Sequence, residues 1–136
     1  DRIPVSVIVD GAVGYCLSKE MIDKFIVGAD RIVVKDGCYV LNKIGTYSAA
    51  IVARQHNVPF YIAAPFSTFD FDHSLDEVVV EERSPKEVTE LGSRRLVAEG
   101  VDVFNPAFDV TPPALVSYIH HSKKIFTDWC RLAPRP

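Results

Sequence analysis

Short runs of β-branched and aromatic residues alternate along this chain with segments whose apolar residues recur at helical spacing, and this alternation constrains the fold more than any other feature. Val5-Ser-Val-Ile-Val9 has the length and composition of a buried strand, and Asp10-Gly11 ends it. Helical spacing follows from Ala12 to Lys24, and Phe25-Ile-Val-Gly28 is a second strand-like run. Ile32 to Leu41 divides into two β-rich halves around Asp36-Gly37, a dipeptide suited to a tight hairpin turn. Gly45 to Gln55 restores helical spacing with Thr46 as the expected N-cap, and a buried strand is expected over Phe60–Ala64. Val78–Val80 and Val101–Phe104 are the next strand candidates. Thr111 is placed to cap a helix from Pro112 to Ser117, and Lys124–Phe126 adds a last strand. Such alternation at short intervals predicts an α/β domain: a parallel sheet with helices on both faces, plus a small β-hairpin. The least ordered stretches are expected at Ser67 to Asp76 and in the tail after Trp129.

Composition narrows the function classes. The 136 residues are 48% hydrophobic and 24% charged, as in ordinary globular proteins, and a chain of this length supports one domain with its own core. A net charge of −3 with scattered Lys and Arg lacks the footprint of a nucleic-acid or membrane-surface binder. No run reaches the roughly 18 apolar residues of a membrane span, and no leader pattern opens the chain. Cys16, Cys38 and Cys130 are odd in number and lack CxxC or Cys/His ligand spacing, which argues against a disulfide framework or a zinc site and for a reducing, cytoplasmic location. The start at Asp1, with a β-type run almost at once, suggests a chain cut from a longer one.

The chemistry-bearing residues concentrate at element ends. Asp30 directly follows a strand-like run, so it should project from a strand's carboxyl end, where parallel sheets place their ligands. Its local alternative is a turn carboxylate paired with Arg31. Asn42-Lys43-Ile-Gly-Thr46 leads from the hairpin into a helix, whose free N–H groups and positive dipole end suit a phosphate, with Lys43 adding a full charge. Asn105 and Asp109 could wall the same crevice or simply bond loop backbone. Glu81-Glu82-Arg83 reads as a structural ion-pair cluster. His56, His73, His120 and His121 lack metal-ligand spacing.

Taken together, Val27-Gly-Ala-Asp-Arg-Ile32, Asn42-Lys-Ile-Gly-Thr-Tyr47, Ala64-Pro-Phe-Ser-Thr68, Glu81-Glu-Arg83 and Asn105-Pro-Ala-Phe-Asp-Val-Thr-Pro112 resemble one family. It comprises methylthioribose-1-phosphate isomerase, ribose-1,5-bisphosphate isomerase and the alpha, beta and delta subunits of translation initiation factor 2B. The resemblance runs from about Ile3 to about Ile119. It implies a Rossmann-like C-terminal catalytic domain over residues 1–128, with 129–136 a tail and the N-terminal domain absent from this chain. The reaction it implies converts 5-methylthioribose 1-phosphate to 5-methylthioribulose 1-phosphate in methionine salvage, without metal or nucleotide cofactor. Asp30 becomes the acid/base residue, and Asn42 and Lys43 contact the substrate. The resemblance also implies a homodimer.

Three departures accompany it. The family's catalytic cysteine and phosphate-gripping arginines lie upstream of the matched region, so this chain holds half a site, to be completed by its own N-terminal part. Asp10-Gly11 stands where an Asp-Ser is expected, and Ile119-His-His-Ser-Lys-Lys-Ile125 replaces a Thr-Glu pair followed by Gly. The alternatives are the bisphosphate isomerase and a non-catalytic regulatory subunit that binds a phosphorylated metabolite.

Overall fold

The computed structural model describes residues 3–121 and 124–126. After a 3-10 turn at Asp10–Ala12, helix α1 covers only Val13–Ser18. It stops short of Lys24 because Glu20 takes a left-handed conformation, at φ 56°. That turns the chain so that the Glu20 N–H donates to the Leu17 carbonyl and the Met21 N–H to that of Cys16, a paired closure of the last helical turn. Strand β1 is Phe25–Val27, and the hairpin is formed by β2, Arg31–Val33, and β3, Tyr39–Lys43, around a turn in which Gly37 has φ 105°.

Helix α2, Thr46–Gln55, uses Gly45 at φ 101° as its N-cap, not Thr46. It ends as α1 does: left-handed Asn57 lets the Val58 N–H reach Ala53 and the Asn57 N–H reach Arg54. Strand β4 is Phe60–Ala63 and the short β5 is Phe69–Asp70. Helix α3, Lys86–Thr89, precedes a two-strand ribbon of β6, Glu90–Leu91, and β7, Arg94–Arg95. Strands β8, Phe108–Thr111, β9, Tyr118–His121, and β10, Lys124–Phe126, complete the order.

The expected fold class holds. One sheet has the order β1-β4-β9-β10, parallel through its first three strands and antiparallel at the last pair. The hairpin grows into a second sheet, β5-β2-β3-β8. Ile32, Val40, Phe60, Ile62 and Ile119 from the two sheets meet Ala50 and Ala53 of α2 and Leu17 of α1 in one core. Alanines at these α2 positions let the helix backbone lie close to the strands it covers, and Gly14 does the same for α1 against Val52.

Four expected elements are corrected. Val5–Val9 is not a strand among the described residues; Val7 is 95% exposed, because β-branched alternation expresses a preference that only a neighbouring ladder can realise. Val78–Val80 and Val101–Phe104 are likewise irregular, and the chain pairs only just beyond them, at the isolated bridge between Glu82 and Pro106. The helix expected over Pro112–Ser117 is a single 3-10 turn, Pro113–Leu115. Its intended cap, Thr111, is instead the fully buried last residue of β8, opposite Val40. Ser67 to Asp76 is better ordered than expected, with β5 and a reciprocal capping box between Ser74 and Glu77. Cys16 is a buried free thiol, whereas Cys38 is disulfide-bonded, against the expectation from the cysteine count. The tail 129–136 lies outside the described residues.

The Thr111 hydroxyl has no hydrogen-bond partner among the described residues. A buried hydroxyl without a partner costs about 1–3 kcal/mol relative to an apolar group of the same shape. Thr111→Val should therefore raise the urea midpoint, by about 1 kcal/mol in unfolding free energy. A fall in the midpoint would mean that the hydroxyl is in fact satisfied.

Candidate active site

Asp30 follows β1 and immediately precedes β2. Its N–H donates to the Leu41 carbonyl at 2.9 Å, which anchors it beside β3 one residue from Asn42. Its side chain is exposed and has no ion pair among the described residues. The paired-carboxylate alternative fails because Arg31 turns to Asp70, at 3.6 Å.

Asn42 and Lys43 end β3, where Asn42 lies opposite Asp109 of β8 and Lys43 opposite Phe108. The half-buried Asn42 amide donates to the Thr46 hydroxyl at 3.1 Å, and that hydroxyl donates to the Lys43 carbonyl at 2.7 Å. This small network locks the Asn42 rotamer and the path of the chain into α2. The Lys43 ammonium sits 5.4 Å from the centre of the Phe108 ring, a cation–π distance that holds its stem along the sheet while leaving the head exposed.

The start of α2 is not vacant. The Asp109 carboxylate accepts from the Gly45 N–H at 2.7 Å and from the Tyr47 N–H at 3.0 Å and 3.1 Å. A carboxylate at the positive end of a helix is a stable arrangement, and here it takes donors that the sequence reading reserved for a phosphate. Asp109 is thus the residue of this region that sequence reasoning placed least well: its loop role was considered, its partner 62 and 64 residues away was not. No local signal marks such a contact.

Asn105 stands apart from this group. Its amide donates to the Ser84 carbonyl at 3.2 Å, in the segment where Arg83 pairs with Glu87 through its Nε at 2.9 Å and its Nη2 at 2.8 Å. The Arg83–Glu87 pair fits the structural reading of Glu81-Glu82-Arg83, and it holds the Glu87 carboxyl below its ordinary range. No group of three or more His, Cys, Asp or Glu side chains is arranged to hold a metal ion among the described residues. None of their helices is long and apolar enough to cross a membrane.

Asp70 pairs with Arg31 and with the His73 ring. The His73 backbone N–H, at 3.0 Å, is the main cause that lowers its pKa; the Asp72 N–H and the His73 ring add to it. A carboxylate with a depressed folded-state pKa stabilises the fold above its unfolded value near 4, and that contribution is lost as pH falls through the folded value. Asp70→Asn should therefore lower the thermal midpoint at pH 7, with the gap to the unsubstituted chain closing as pH falls through the depressed folded-state value. A gap independent of pH would assign the effect to packing instead.

Parallel strands whose carboxyl ends present Asp30 beside an Asn-Lys pair and a capped helix define a Rossmann-like α/β domain with its candidate site at the strand ends. The chain belongs to the initiation factor 2 subunit family, whose model matches residues 1–122. It is 52% identical over 120 residues to methylthioribose-1-phosphate isomerase of Desulforamulus reducens, covering 88% of this chain and 34% of that protein. It is 52% identical, also over 120 residues, to the protein of the same name from Pelotomaculum thermopropionicum, with 88% and 32% covered. Among solved structures, translation initiation factor eIF-2B subunit delta from A. fulgidus superposes with a TM-score of 0.86 at 45% identity, covering 92% of this chain and 36% of that one. The 5-methylthioribose 1-phosphate isomerase of Pyrococcus horikoshii OT3 superposes with a TM-score of 0.85 at 39% identity, covering 95% and 36%. The chain thus spans about a third of the length of these relatives.

Proposed function

We propose that this chain is the C-terminal catalytic domain, residues 1–128, of an aldose–ketose isomerase that converts 5-methylthioribose 1-phosphate to 5-methylthioribulose 1-phosphate. The observation that carries the proposal is Asp30: an exposed carboxylate at the end of a parallel strand, backbone-anchored beside Asn42-Lys43 and not drawn into the Arg31 pair. The names of the relatives supply the reaction.

The chemistry suits those residues. Opening the sugar ring needs a proton on the ring oxygen, and a carboxylic acid can give it. One hydrogen then leaves C2 and one arrives at C1, while the C2 hydroxyl loses its proton and becomes the ketone; the net change is the same for a proton relay or a hydride shift. Lys43 supplies positive charge for the C1 phosphate, and Asn42, locked by Thr46, offers oriented polar atoms to the sugar. No metal or nucleotide cofactor is needed for this sequence.

Proton transfer between Asp30 and the sugar calls for a site closed to water. The described residues leave it exposed, so we assign the covering surface to the N-terminal part of the same protein and to a homodimer partner. A sugar-phosphate substrate supports a cytoplasmic location, and the Cys38 disulfide bears against it. Alkylation of the protein in its own cells, read at Cys38 by peptide mass spectrometry, decides it: an alkylated Cys38 fits the cytoplasm and a disulfide-bonded one does not.

The test is a proton NMR time course of 5-methylthioribose 1-phosphate with the chain alone and with the product of the whole gene. Turnover is expected only from the whole product. A second reading, a regulatory subunit that binds a phosphorylated metabolite without turnover, draws support from the A. fulgidus structure, and binding without turnover by the whole product would establish it.

A further inference from the structure

β1 and β4 are adjacent and parallel, with Val27 opposite Ile62, so their carboxyl ends open on the same side of the sheet. Asp30 lies just past the end of β1, and Phe66 just past the end of β4. From there the chain places three rings together: Phe66 and Phe69 at 5.5 Å between centres, Phe66 and Phe71 at 5.8 Å, Phe69 and Phe71 at 6.3 Å. Phe69 pairs with Ile32 in the β5–β2 ladder, which ties the cluster to the strand that follows Asp30. Phe66 is 56% exposed and Phe71 42%, although each of the three rings also has contacts beyond the trio.

The segment that carries the rings is rich in carboxylates. Asp70 lies between Phe69 and Phe71 and Asp72 follows Phe71, and residues 66–76 contain no Lys or Arg. The cationic groups near this segment are already engaged with carboxylates: Arg31 and the His73 ring with Asp70, and Lys35 with Asp76 and Glu77. A second phosphate would meet carboxylates and aromatic faces, both unfavourable to a dianion. A thioether meets surfaces suited to it, since sulfur packs favourably against aromatic rings at about 5 Å.

We infer that Phe66, Phe69 and Phe71 form the subsite for the C5 methylthio group of the sugar phosphate and set the choice of that substituent over a second phosphate. The inference rests on the isomerase reading above, with the reacting end at Asp30 and the opposite end of the sugar at the rings. Phe69 is half-buried against the core, so the test uses the exposed pair.

In the whole gene product, Phe66→Ala and Phe71→Ala should each lower kcat/KM for 5-methylthioribose 1-phosphate by about tenfold or more, mainly through KM. The same variants should leave kcat/KM for 5-deoxyribose 1-phosphate, which lacks the methylthio group, within about twofold. Saturation-transfer NMR, irradiating aromatic protons, should mark the S-methyl protons most strongly, and the variants should lose that signal. Equal losses on both sugars, or none on either, overturn the subsite and leave the isomerase reading standing. S-methyl saturation without turnover by the unsubstituted protein upholds the subsite and overturns the isomerase reading. No binding of the methylthio sugar overturns both.

Discussion

Asp30→Asn in the whole gene product should lower kcat for 5-methylthioribose 1-phosphate by about 10²–10⁴-fold while KM changes little, the range expected when a positioned acid/base group is lost. Asparagine has nearly the same shape, and the backbone bond from residue 30 to Leu41 does not involve the side chain, so the loop keeps its place. Nor does the substitution break an ion pair, because Arg31 is held by Asp70. What is removed is the proton itself. Progress curves by proton NMR separate the outcomes: unchanged turnover moves the acid/base role to another residue, whereas retained affinity in a protein that never turned over belongs to the regulatory reading.

Phe60→Ala should be the most damaging change to the fold, costing about 3–5 kcal/mol. Phe60 is 1% exposed and its ring stacks on Phe25 at 5.1 Å across the β1–β4 pair, a contact worth about 1 kcal/mol beyond the area it covers. Truncation leaves a cavity between the two strands that carry the candidate site and the aromatic cluster. Its backbone bonds with Ser117 remain, at 3.0 Å through the Phe60 N–H and 2.8 Å through its carbonyl, so little is available to close the gap. Because domains of this size are stable by only about 5–15 kcal/mol, much of the margin disappears. Urea unfolding followed by circular dichroism measures it; Ile26→Ala, at an exposed position of β1, is the control and should stay within about 0.5 kcal/mol. Equal losses at both positions would mean that β1 is covered on the side where Ile26 stands exposed.

The strand, helix and hairpin core from Phe25 to Ala63 was legible in the sequence because its signals are local. Asp36-Gly37 fits the turn, and apolar spacing marks α2. The runs at Val5, Val78 and Val101 carry the same local signal and are not strands, because pairing is a property of two segments and only one of them is visible in each run. Conversely β8 and β9 were hidden: Phe108–Thr111 sits among prolines, and its partner β3 is more than sixty residues away. Asp30, Asn42 and Lys43 stood out as candidates through their position at element ends and through motif resemblance. The carboxylate that caps α2 did not.

By itself, then, the sequence determined where the chain turns and which segments can be strands or helices, since turn chemistry and side-chain period act over a few residues. Only the tertiary structure decided which of those segments find partners. It also decided that Asp109 closes the start of α2, that Arg31 turns from Asp30 to Asp70, and that three phenylalanines gather beside the strand ends. Each of those depends on backbone register between strands distant in sequence, which no local pattern encodes.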